Sequence, residues 1–494
     1  MRQLLATKSI KVLREQESSG NQLRRALGWL HLTLLGIGGI IGTGIFVLTG
    51  TAAANHAGPA LPLAFIVAGI GCTLAALCYA EFAAMIPVSG SAYSYSYATL
   101  GEGIAWFIGW NLVLEYLLAV ATVSVGWSGY AVSLLEQLHV HIPVALSNAP
   151  FGTPMGKQGF DIVRTGAIIN LPAIAIVAVI ATICYVGIRQ SAAFNAVIVA
   201  IKVTVVVLFI LFGVSFIHTA NWHPFIPPNT GQFGVFGWSG IMGAAGVIFF
   251  AYIGFDAIST AAQETRNPQR DMPIGILASL VICTILYVIV SAILTGMVSY
   301  QELDVAAPVA LALDKYQALH WLGIPVKLGA VCGMTSVMLV MTIAQARIFF
   351  AMARDGLLPP FFGRVHPRFR TPSTGTAITG IAAAIIGGLF PVDLLAGMVS
   401  IGTLAAFVTV CLGVLVLRKT RPDLPRPFRA PAPWFTCIAG ALVCFSMMLS
   451  LGTPTWWRLV IWTVIGVIIY VVYGYRHSRV RTENGSATAA AAAR

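Results

Sequence analysis

The chain has 494 residues, of which 58% are hydrophobic and only 9% charged, and its formal net charge is +12. A water-soluble domain carries about 25% charged residues, so the composition excludes one and calls for an integral membrane protein. The basic balance would suit nucleic acid, but the cations sit between hydrophobic stretches, where the positive-inside rule accounts for them, and no nucleic-acid partner is expected.

Residues 1–28 are polar and basic, and the apolar stretch after them is full length, so no cleavable signal peptide is expected. A spanning helix needs roughly 20 apolar residues. About twelve such stretches follow, at 29–54, 60–87, 99–138, 167–187, 192–217, 236–264, 272–298, 319–354, 373–391, 395–417, 433–452 and 455–475. They are long and do not alternate in polarity, so they read as helices and not barrel strands. The fold class is therefore an all-α integral membrane protein. Placing the N-terminus inside puts most of the 29 Lys and Arg on the inner side. Arg2, Lys8 and Lys11 lie there, as do Arg189, Arg266, Arg347, Arg418 and Arg476, while the outer side keeps Lys157, Arg164, Lys315, Lys327 and Arg458. Both termini are then cytoplasmic in a multi-pass protein of the cell membrane, surrounded by lipid. The longest outer loops are 139–166 and 218–235, and the tail from Thr482 is low-complexity. The eight cysteines all fall within expected spans, none in C-x-x-C spacing, and read as buried apolar packing, not as metal ligands or disulfides.

The first span carries GIGGIIGTGIF, Gly36 to Phe46, and a later one carries GVIFFAYIGFDAIST, Gly246 to Thr260. Gly costs about 1 kcal/mol against Ala inside a helix. Two glycine-interrupted spans in matching halves point to a transporter of inverted repeats, with the site at the breaks. A broken helix frees backbone groups in mid-membrane, each costing several kcal/mol if unpaired. The N-terminus after a break suits a carboxylate, and the carbonyls before a break suit an ammonium. Together they describe a free amino acid as substrate. Close packing through G-x-x-x-G (Gly38 and Gly42) stays open for the first break, and a gating hinge is compatible with either reading. A dinucleotide loop fails, because Ile41 stands where the third glycine is required.

At this point GIGGIIGTGIFVLTG, GPALPLAFIVAGI, CYAEFAAMIPVSGSAYSYSYATLGE, FFAYIGFDAISTAAQETRNPQRDMPIGI and ARDGLLPP resemble the cationic amino acid transporter family of the amino acid–polyamine–organocation superfamily, and most of all its bacterial proton-coupled members. The resemblance is strongest over about residues 25–420. It implies a 5+5 inverted-repeat (LeuT-like) fold with helices one and six broken. The domains are then a tail (1–28), a first five-helix repeat (29–217), a second (236–417), two further spans (433–475) and a C-terminal tail (476–494).

For the amino acid carboxylate the amides of Gly42, Thr43 and Gly44 are the choice, with Ile40 and Ile41 supplying carbonyls or walls. Phe250, Ala251 and Ile253 precede the second break; their carbonyls suit the ammonium and the Phe250 ring suits a gate, against plain packing. Lys202 lies deep in an apolar span, where a charge costs roughly 2.5–3.5 kcal/mol. It reads as a proton-switchable cation on the carbonyls of broken helix one, with snorkelling as the alternative. The resemblance implies that it replaces a sodium ion of related folds, so protons are the coupling ion and no cofactor or metal is expected. Asp256 reads equally as a cap on the amides of the second half of helix six and as a proton carrier. Glu115 is a substrate-facing or proton-carrying carboxylate, or a buried structural one. Glu81 is structural or part of an inner gate, with no ligand. The resemblance places Met334 against the substrate side chain, where it would narrow the pocket. No nucleophile–base pair or H-E-x-x-H motif appears, so no enzyme is expected. The expected activity is proton-coupled amino acid symport by alternating access, with cationic amino acid exchange as the alternative and an ion channel as the rival class. A monomer is expected, and the spans leave room for a small membrane accessory subunit.

Overall fold

The computed structural model describes residues 6–8, 27–85, 91–152, 162–187 and 192–480. Most of the expected N-terminal tail, the C-terminal tail from Thr482, Ser89 and Arg189 lie outside the described residues. Among the described residues nine helices are long and apolar enough to cross a membrane, and three shorter apolar helices accompany them.

The first expected span is two pieces. α1 (Trp29–Ile40) stops at Ile41, whose backbone is extended (φ −72°, ψ 106°). After it comes α2, residues 44–57, wound with π-type stretches at Gly44–Leu48 and Ala53–Ala57 around one α-helical turn, Thr49–Ala52. α3 (Leu61–Met85) returns across the bundle. A short helix, α4 (Ser91–Thr99), precedes the long α5 (Glu102–Gln137); the apolar run expected at 99–138 concealed the turn at Leu100–Gly101.

α6 (Leu171–Val186) opens on Asn170, whose side chain accepts from the Ala173 amide at 3.2 Å, and closes on Gly187 in the left-handed region. α7 (Ala192–Gly213) follows. The sixth span is also two pieces: α8 (Gly237–Ile248) tightens into a 3-10 turn, Phe249–Tyr252, and breaks at Ile253 and Gly254. The chain resumes as a 3-10 helix, Asp256–Glu264. Then come α9 (Pro268–Met297), the short α10 (Pro308–Asp314), α11 (His320–Arg354), α12 (Ser373–Leu389), α13 (Val392–Thr420), α14 (Pro433–Ser450) and α15 (Gly452–Ile469). Prolines open α9, α10 and α14, where the missing N–H would have no partner in any case.

α9 packs along α1 and α3, α11 along α5 and α7, and α13 along α5 and α14, so both broken helices are enclosed. At one end Glu81 of α3 is tied to α13: Arg418 Nε donates to its Oε1 at 2.9 Å, the second Arg418 nitrogen donates to Oε2, and the Ala430 amide donates at 2.9 Å. Arg426 completes the cluster at 3.5 Å. Seven of the eight cysteines are buried; Cys332, expected to be buried, is exposed on α11. An apolar thiol on the outside of a membrane bundle needs no partner.

Candidate functional site

The two breaks touch. Gly254 has φ +122°, a conformation that residues with a Cβ rarely adopt, and a Cβ there would stand 2.7 Å from the carbonyl of Gly39. A Cβ on Gly44 would run into Cα of Ala251. Glycine at these two points is what lets one interrupted backbone lie against the other.

Side chains from neighbouring helices take the carbonyls that the breaks release. Lys202 of α7, fully buried, donates from Nζ to Gly38 O at 2.6 Å and to Ile41 O at 2.9 Å. Tyr287 of α9 donates to Ile40 O at 2.9 Å and to Ala251 O at 3.0 Å. Within the second break the Ile253 amide reaches Phe250 O at 3.2 Å. At the start of α2 the Phe46 amide reaches Gly42 O at 3.3 Å, and the amides ahead of it stand at a helix N-terminus, where no intrahelical carbonyl meets them. The hydroxyl of Thr43, buried there, has no hydrogen-bond partner.

Between the breaks lies a cavity. Its walls are Gly39, Ile40, Gly42, Thr43 and Gly44 from the first break, Phe250 and Ile253 from the second, Ala119 and Val123 from α5, and Val337 and Met341 from α11. The cavity has a volume of about 10 Å³, enough for roughly one water. None of these lining side chains is charged.

Six of the sequence candidates line this cavity: Ile40, Gly42, Thr43, Gly44, Phe250 and Ile253. Ile41 and Ala251 stand beside it with their carbonyls bonded to Lys202 and Tyr287. Met334 is fully buried on α11, one turn from Val337 and on the same face, behind the lining. Glu115 is buried on α5, one turn along from Ala119. Its charged neighbour is Asp256, Thr403 lies within hydrogen-bonding reach, and its Oε1 has no partner of good geometry. Asp256 starts the 3-10 helix. Tyr116 donates to its Oδ2, while Oδ1 lies near the amides of its own turn without a well-formed bond. Lys202, Glu115 and Asp256 are therefore at the breaks or within a turn of them.

Ala119, Val123, Val337, Met341, Tyr116 and Tyr287 were not singled out from sequence. Helical spacing would have found some of them: Ala119 is four residues from Glu115, and Val337 and Met341 are three and seven from Met334. Tyr287 lies in an apolar run where only the hydroxyls of Thr284 and Ser291, three residues before and four after, share its helical face, and neither marks a site. Among the described residues no group of three His, Cys, Asp or Glu side chains is placed to hold a metal ion.

The family profile described as amino acid permease matches residues 27–472. The chain is similar to the methylthioribose transporter of Bacillus subtilis, 46% identical over 97% of this chain and 99% of the relative. It is similar also to the branched-chain amino acid permease BcaP of the same organism, 48% identical over 96% of this chain and 98% of the relative. The cationic amino acid transporter 3 of Arabidopsis thaliana is 38% identical, over 82% of this chain and 64% of its own length.

Proposed function

Because the chain belongs to the amino acid permease family, we propose that it imports a neutral amino acid with an apolar side chain, together with a proton, by alternating access. The observation that carries this is the meeting of two broken helices at an apolar-walled cavity. Freed amides at Gly42–Gly44, beside the unpartnered Thr43 hydroxyl, suit a carboxylate. The carbonyl ends of both half-helices suit an ammonium.

The family that the sequence resembles is named for cationic substrates, while the residues themselves leave small neutral and cationic substrates both open. Two findings support a neutral one. No carboxylate lines the cavity, since Glu115 stands a turn away beside Asp256. And the similar proteins include a branched-chain permease matched over nearly its whole length, whereas the chain spans about two thirds of the plant cationic transporter.

Proton coupling is supported by Lys202. Its ammonium bonds two carbonyls of broken helix one, at 2.6 and 2.9 Å. A neutral amine is a weaker donor than an ammonium, so losing its proton would loosen both bonds, and protonation and the shape of the break are linked. Glu115 and Asp256 supply a second place for a proton. The 5+5 reading gives each repeat, 29–217 and 236–417, five spans, an odd number that would invert the second against the first, and the distribution of Lys and Arg supports cytoplasmic termini.

Proteoliposomes test the reading. An inward proton gradient should drive accumulation of labelled leucine into vesicles that contain no amino acid, and arginine should compete poorly. Leucine entry only after preloading would point to exchange. Preferred uptake of arginine would overturn the substrate class.

A further inference from the structure

A symporter must do something an exchanger need not: it must return across the membrane unloaded. The breaks then close on each other with no ammonium between them, and the carbonyls they free still need a donor, since each unpaired one costs several kcal/mol in a bilayer.

In the arrangement described here the space between the breaks has room for about one water, so an amino acid does not fit. Yet the carbonyls of Ile40 and Ala251, one on each broken helix, are both hydrogen-bonded. Their donor is a single hydroxyl, Tyr287 Oη, at 2.9 and 3.0 Å. A hydroxyl has one hydrogen, so it is shared between the two oxygens. The tyrosine is fully buried and its ring is fixed by Phe65 (centroids 5.4 Å apart) and Tyr252 (5.5 Å). Its helix, α9, packs against both α1 and α3. Lys202 bonds only the first break.

We propose that Tyr287 is a positioning residue for the return step: its hydroxyl takes the place of the substrate ammonium across the two breaks and lets the unloaded carrier close. This rests on the transport reading above. When an amino acid enters, its ammonium supplies the stronger, charged donor and the tyrosine yields one or both carbonyls. When the amino acid leaves, the hydroxyl restores the bridge. The side chain therefore separates two rates: return with substrate, which has its own donor, and return without it, which does not.

Tyr287→Phe keeps the ring and its packing and removes only the hydroxyl. Without any amino acid, hydrogen–deuterium exchange of the whole chain should quicken about tenfold at amides 42–45 and 254–257 together. In proteoliposomes, net leucine uptake under a proton gradient should fall about tenfold, while leucine-for-leucine exchange stays within about twofold. Tyr252→Phe removes an equally buried hydroxyl bond, to Phe65 O at 2.8 Å, and should leave the ratio of net uptake to exchange unchanged. Unaltered protection at either break overturns the proposal, as does an equal fall in net uptake and exchange. If the wild-type chain moves no leucine, the substrate reading fails, and the exchange protection of the amides still decides whether Tyr287 holds the breaks.

Discussion

The break in helix one and the break in helix six meet at the same depth, but different means keep their backbone groups satisfied. At the first, a lysine from another helix takes two carbonyls, while the amide end faces an unpartnered hydroxyl, Thr43. At the second, one glycine with φ +122° makes the turn and a carboxylate, Asp256, sits where the helix restarts, held by Tyr116. The first break thus depends on a group that can gain or lose a proton at its carbonyl end. The second depends on backbone geometry, a carboxylate of its own helix and the neutral hydroxyls of Tyr116 and Tyr287. In the proposed transport cycle break one is then the element expected to adjust, and break six the anchor.

The largest effect is expected from disturbing the anchor. Gly254→Ala forces a Cβ to within 2.7 Å of the Gly39 carbonyl in an unfavourable conformation. It should destabilise the protein by about 3 kcal/mol and abolish uptake, read by thermal melting and transport. Retained transport would mean that the breaks need not touch.

Next is the adjustable side. Lys202→Met leaves Gly38 O and Ile41 O without their donor and should lower proton-driven uptake about 100-fold. If protons enter with substrate, as proposed, wild-type uptake should rise as the outside is acidified. In the variant, residual transport should be insensitive to outside pH. A residual that still follows the gradient would move the coupling to Glu115 and Asp256.

A substitution remote from both breaks sharpens the contrast. Glu81→Gln weakens the cluster with Arg418 and Arg426 and should cost about 2 kcal/mol in stability with the leucine KM unchanged.

Smaller effects belong to the cavity wall. Val337→Ala, on the lining itself, should change the ratio of leucine to alanine KM by about fivefold. Met334→Ser, behind that lining, should let in longer side chains, with arginine uptake gaining about twofold over alanine. If Met334→Ser outweighs Val337→Ala, the substrate side chain extends past the wall described here.

Much of this was legible in the sequence, for physical reasons. Glycine runs inside apolar spans are costly, so Gly36–Gly44 and Gly254 marked the breaks, and the isolated charges Lys202, Glu115 and Asp256 marked what sits near them. Apolar residues gave weaker signals. Val337, Met341 and Val123 are ordinary membrane residues until packing brings them to one cavity. Tyr287 works through a hydroxyl whose two acceptors are 247 and 36 residues away in the chain, and no local pattern marks such a contact. The turn between α4 and α5 was missed because the expected span at 99–138 was begun before it, while the polar residues of α4 fell between spans. Glu115 was open in the sequence to a substrate-facing, a proton-carrying and a structural role, because a carboxylate in mid-span does not show its neighbour, which the fold makes Asp256.

The central claim is that the freed peptide groups of two touching breaks hold both charged ends of one amino acid. Thermal stabilisation of the purified chain by leucine, leucinol and 4-methylpentanoate tests it most directly, since the last two lack the carboxylate and the ammonium respectively. Leucine should raise the melting temperature and neither analogue should do so at the same concentration. Equal stabilisation by either analogue would show that one charged end is not held at the breaks, and would contradict the account.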